Sequence, residues 1–197
     1  MSAAAALYGA VCGMWNGPRL AAYVALKLPL VLGVTWALTL LLSWLGASLL
    51  GLPLRFGQVA VLILLGLAAG SLLLASLAPV AALFTLCAPH PDETARTAHN
   101  LLYLMHTAFV GGCGFAGTRI LWRGMQRLPS SRATLAAVYG FWVLAYSLVG
   151  GEVAWLLRPF IGSIYYPVVF LRSDAFDGNV YEFIFTDIVP YLLRHLY

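Results

Sequence analysis

The sequence predicts an all-α, polytopic helical membrane bundle, and two observations carry that reading. Of the 197 residues, 62% are hydrophobic and only 9% are charged, where a soluble domain carries about 25% charged residues. Several uncharged apolar runs are also long enough to cross a hydrocarbon core of about 30 Å, which takes about 20 helical residues. A globular core of this size cannot hide so much apolar surface, so a soluble enzyme and a nucleic-acid binder are excluded. The formal charge is +4, but the basic residues are scattered between apolar runs and form no phosphate-tracking patch. In a membrane chain they carry topology instead. Cys12, Cys87 and Cys113 show no C-x-x-C spacing and set up neither a disulfide framework nor a zinc site.

The elements follow in order. Ser2 to Trp15 is apolar, but about 14 residues fall short of the ~17 a span needs. It lacks the basic n-region of a signal peptide and reads as a short fifth span or one arm of a half-inserted hairpin, the first preferred. Asn16-Gly17-Pro18 turns the chain, and Arg19 to Lys27 reads as a short interfacial helix. The first full span, 29–52, holds no charge, and about 24 helical residues rise ~36 Å. Arg55 follows in a short connection. The next apolar run, from Val59 to Cys87, is too long for one straight span. Pro79 marks a kink or the start of a shorter segment, which places the second span at 59–78. His90 to Thr94 is a polar loop. The third span is 98–122 and the fourth 133–157, stopped by Arg158-Pro159 because the residue before a proline is pushed out of the α region. All are helices, since backbone in lipid must satisfy its own hydrogen bonds.

Segment 158–197 is interfacial. Tyr165, Tyr166, Arg172, Asp174 and Asp177 make it wet and aromatic. Asn179-x-x-Glu182 has the form of a helix N-cap with an acidic residue three positions on. On a wheel, Val180, Ile184, Phe185, Ile188, Leu192 and Leu196 share one side, with Glu182, Thr186, Asp187 and Arg194 opposite. Phe183 is the exception and Pro190 an interruption, so the pattern is an amphipathic helix. The whole chain, 1–197, reads as one membrane domain.

Chemistry-bearing residues are few. Gly9-x3-Gly13-x3-Gly17, Gly66-x3-Gly70 and Ala108-x3-Gly112-x3-Ala116 have the spacing that lets helix backbones approach closely. They serve either packing inside the bundle or a partner interface. Glu152 lies about one turn from the end of the fourth span and is expected to pair with Arg158 or Arg172, with a proton-relay role as the sharper reading. His99 and His106 fall on one side of the third span. With His90, Asp92 and Glu93 near in sequence, they match no His-x3-His or His-Glu-x-x-His metal spacing. No Gly-x-Ser-x-Gly elbow accompanies the span serines. Trp155 is an interfacial anchor, Arg158 demands an acceptor among Glu152, Asp174 or backbone carbonyls, and Pro159 turns the chain out of the helix. Phe160 and Ile161 are then held at the membrane surface, and Gly162 permits a close backbone approach. That turn either docks the C-terminal helix or offers a hook to a partner.

Leu7-Tyr8-Gly9-Ala10-Val11, Ala25-Leu26-Lys27-Leu28-Pro29-Leu30 and Trp155-x-Leu157-Arg158-Pro159-Phe160-Ile161-Gly162 together resemble a functionally uncharacterised family of small bacterial integral membrane proteins. Members place a Lys-x-Pro before a span and end in a Trp-x-Leu-Arg-Pro-Phe-(Ile/Val)-Gly motif. The resemblance covers most of the chain and implies a multi-pass bundle without implying an activity. Glu152 departs from it, an amide being commoner there, as does the short N-terminus.

The functional expectation is a non-enzymatic anchor or assembly subunit of a bacterial inner-membrane complex, without a cofactor or metal. It meets the lipid bilayer and a protein partner, or further copies of itself, through small-residue helix faces. The alternative is an oligomeric channel or transporter subunit. Between Arg119 and Arg132 lie four arginines and no acid, whereas three arginines and four acids occupy the segment from Arg158 onward. The first is therefore expected in the cytoplasm, with Asp92 and the C-terminus in the periplasm.

Overall fold

Four apolar helices long enough to cross a membrane dominate the fold, a computed structural model that describes residues 1–91, 95–162, 167–188 and 190. They are α2 (Pro18–Leu49), α3 (Phe56–Ser76), α5 (Arg96–Met125) and α6 (Arg132–Leu156). Two shorter helices, α1 (Ser2–Gly13) and α4 (Ala78–Cys87), complete the bundle, and α7 (Val180–Phe183) follows after the last span. No strand occurs among the described residues. Large apolar side chains point outward along every span, Leu26, Leu38, Leu65, Leu101 and Leu144 among them. In water such a surface would aggregate; in lipid it is the solvated face.

Local chemistry sets the helix ends. The Arg55 amide donates to Gln58 Oε1 at 2.8 Å, which starts α3 three residues earlier than the apolar run suggests. Ser131 Oγ accepts from the Thr134 amide at 3.1 Å and caps α6. Leu77 breaks the long apolar run and α4 begins at Ala78, so Pro79 sits in the first turn of a new helix, where its missing N–H costs nothing.

One expectation at the N-terminus is corrected. Arg19 to Lys27 is not a separate interfacial helix, because α2 continues through Pro29 without a break. A proline removes one backbone donor, and inside a packed membrane bundle the helix tolerates the loss. Residues 2–13 form a helix of 12 residues, which rises about 18 Å. This helix lies antiparallel on the first half of α2, with Gly9 against Val24 and Gly13 against Leu20. A Cβ at Gly13 would stand 2.7 Å from the Leu20 carbonyl oxygen, so the glycines set the spacing of the hairpin.

α3 pairs with α5 and α2 with α6, whereas α5 and α6 scarcely touch. The apolar interior accordingly falls into two clusters. One, around Tyr8, Trp15, Leu20, Leu74 and Leu102, joins α1, the start of α2, the end of α3, α4 and the first half of α5. The other, around Leu40, Val59, Met125, Val138 and Trp142, joins the opposite ends of α2, α3, α5 and α6.

Candidate functional site

Most of the residues singled out in the sequence converge at the end of the bundle where α6 stops. The organising group is Lys27, which is fully buried. Its Nζ donates to the Pro159 carbonyl at 3.0 Å and lies 5.9 Å from the Phe160 ring and 5.3 Å from the Phe170 ring. An ammonium between two aromatic faces gains from their quadrupoles, more so when desolvated. The chain after α6 is thereby strapped across α2. Phe160 is half-buried and Ile161 buried against the first apolar cluster, so Phe160 docks the strap onto the bundle.

Gly162 fastens the strap a second time. Its φ is +85°, in the left-handed region that glycine enters without penalty, and a Cβ there would meet Asn16 Nδ2 at 2.7 Å. His99 Nε2 donates to the Gly162 carbonyl at 3.1 Å, and the His99 ring lies 5.5 Å from that of Trp15. Trp15 Nε1 in turn donates to the Pro89 carbonyl at 2.9 Å. His106 sits apart, deeper in the bundle, with Nδ1 2.8 Å from the Tyr8 hydroxyl. The two histidines therefore serve different neighbours. Among the described residues no group of His, Cys, Asp and Glu could hold a metal; Asp92 and Glu93 lie outside those residues.

The expected ion pair of Glu152 is a correction. Glu152 Oε2 accepts instead from the Val180 amide at 3.3 Å, and both arginines turn to Asp174. Arg172 clasps it through Nε and Nη2 at 2.9 and 2.8 Å, while Arg158 Nη2 stands 3.6 Å away. The fork-to-carboxylate geometry of Arg172 explains the preference, and its hydrogen bonds hold the Asp174 carboxyl below the usual carboxylate range. Arg158 also stacks on Trp155, with Cζ 3.7 Å from the ring centroid, and donates to the Trp155 carbonyl at 3.3 Å. Its carboxylate partner is half-exposed, so no buried charge would be stranded by losing Arg158. Trp155 Nε1 is buried with no hydrogen-bond partner among the described residues.

A second feature lies at mid-depth. Because α5 and α6 diverge, a cavity of about 420 Å³ opens between them, floored by Gly66, Leu67 and Leu74 of α3. Three of the hydroxyls on its wall point back into the protein, Ser71 donating to the Leu67 carbonyl, Thr118 to Phe115 and Tyr146 to Leu32, while Ser147 also lines it. The cavity is therefore apolar in effect. On its rim, Gly111 and Gly114 of α5 have no atom within 4 Å of where a Cβ would stand.

The three glycine motifs thus part company. Gly9-Gly13 and Gly66-Gly70 close contacts within the chain, the latter against Cys113 and Gly117 of α5. Gly112 faces outward. Reasoning from the sequence gave Lys27 and Tyr8 no role beyond the motifs of the resemblance and missed Gly114; the signal for Lys27 is a cation ten residues into what proves to be one continuous apolar helix. Comparison with protein-family models, with curated proteins and with solved structures gave no match.

Proposed function

We propose that the protein is a non-enzymatic assembly subunit or anchor, seating an apolar transmembrane helix of a partner in the groove between α5 and α6. The observation that supports this is the pair Gly111 and Gly114, open in front of a mid-depth apolar cavity. Small residues let a second backbone approach closely, and helix association in lipid relies on that packing. Photo-cross-linkers placed at positions 111 and 114 in native membranes test it. The expected product is one adduct of discrete mass, absent when the probe sits at Leu26 on a lipid face. An adduct of twice the chain mass would make the partner a second copy; lipid adducts alone would overturn the reading.

The mid-depth cavity favours the channel or transporter subunit as a second reading. It stands second because Ser71, Thr118 and Tyr146 spend their hydroxyls on backbone carbonyls, leaving little to coordinate an ion.

In this reading the chain sits in a bacterial inner membrane, in keeping with the resemblance of its terminal motif. Arg55, Arg119, Arg123, Arg127 and Arg132 gather at the end opposite the strap, which by the positive-inside rule faces the cytoplasm. A cysteine replacing the exposed Asp177 should then react with an impermeant maleimide from the periplasmic side. Protection there, with labelling only after the inner membrane is breached, would reverse the orientation.

A further inference from the structure

The segment after Gly178 does not stand clear of the bundle. Val180 is bonded to Glu152, the Tyr181 hydroxyl donates to the Leu148 carbonyl, and the Phe183 ring lies 5.2 Å from that of Trp155. Gly151 makes room for this contact, since a Cβ there would stand 3.1 Å from the Tyr181 hydroxyl oxygen. α7 therefore lies beside the last two turns of α6, and Leu148, eight residues before the end of α6 at Leu156, is about 12 Å below that end. α6 rises about 37 Å against a hydrocarbon core of about 30 Å, so the Tyr181 hydroxyl reaches well below the level of the headgroups.

The same segment carries uncovered aromatic rings. Phe185 is 69% and Phe176 75% exposed, and Phe183 is also exposed, alternating with the exposed polar residues Asp177, Asn179 and Glu182. Leu144 and Leu148 of α6, beside which the segment lies, are exposed as well. Asn179 Oδ1 satisfies the Glu182 amide and Glu152 the Val180 amide, so the first turn enters an apolar medium with two of its free donors bonded.

From this placement we infer that residues 176–185 dip into the headgroup–acyl boundary of the bilayer, with Phe176, Phe183 and Phe185 resting on lipid. The depth fits an interfacial element, whose apolar face sinks about 5–10 Å below the boundary. The aromatic rings supply the affinity, without the lysine-rich face that attraction to anionic lipid requires. The occupant of this surface is thus the lipid boundary itself.

The test is a spin label at position 185 or 176, in full-length protein carrying Cys87→Ser and reconstituted in phosphatidylcholine vesicles. Cys12 and Cys113 are buried and stay unlabelled. Both probed positions are exposed, so Phe185→Cys and Phe176→Cys leave the core untouched. Relaxation by oxygen should exceed relaxation by an aqueous nickel chelate at both positions, as it does for a label at Leu144. A label replacing the exposed Asp177 should show more nickel access than either. Nickel access at 185 equal to that at Ser130, in the loop at the other end, would overturn the inference. So would low access to both reagents, which would mean that protein and not lipid covers the segment.

Discussion

Gly117→Val should cost on the order of 3 kcal/mol of stability, because it forces apart two spans whose backbones lie against each other. A Cβ at position 117 would stand 2.5 Å from the Gly66 carbonyl oxygen and 3.3 Å from the Gly70 amide nitrogen. Both are backbone atoms and cannot rotate away, so α3 and α5 must separate along their shared face. That loss spreads to Leu121, which packs in the second apolar cluster. Thermal unfolding in mild detergent measures the effect, with Gly112→Val as the control. Position 112 has nothing within 4 Å, so the control should unfold like the parent. Equal destabilisation by the two variants would show that the α3–α5 contact is looser than described.

Lys27→Ala should cost about 2–4 kcal/mol, the sum of a charge-assisted hydrogen bond, two ring contacts and a vacated stem. The larger consequence is local. Without Nζ, the Pro159 carbonyl loses its 3.0 Å donor, and Phe160 and Phe170 lose the cation they flank. Limited proteolysis should then cut within 159–175 under conditions that leave the parent intact. Lys27→Met keeps the stem and removes the charge, so it should recover the stability that packing of the stem supplies while being cleaved within the strap as the Ala variant is. If Met resists cleavage like the parent, the packing and not the ammonium holds the strap.

The spans were legible from the sequence because an uncharged run of 20 or more residues has one solution in lipid. The end of α6 before Arg158-Pro159 was legible for the same kind of local reason. What escaped was pairing. The glycine motifs look alike as text, yet Gly9 and Gly66 meet neighbouring helices while Gly112 faces outward, and spacing does not encode which helix comes alongside. Lys27 reads as a cation able to reach the interface; only the placement of Pro159, Phe160 and Phe170 around it makes it a buried anchor. Glu152 was assigned to the arginines by proximity in sequence. The arginines found Asp174, two residues from Arg172, and left the carboxylate to a backbone amide. The wheel drawn through Leu192 and Leu196 falls outside the described residues, as do Tyr165 and Tyr166.

The two apolar clusters bind the bundle at its ends, and the 420 Å³ cavity lies between them at the waist. In a soluble protein an apolar void of that size forfeits dispersion contacts on every wall, and a chain has to fill it with its own side chains. Here the surrounding medium is itself hydrocarbon and can flow in through the gap between α5 and α6. The fold therefore leaves part of its interior to be completed by whatever borders it, an acyl chain or a neighbouring helix.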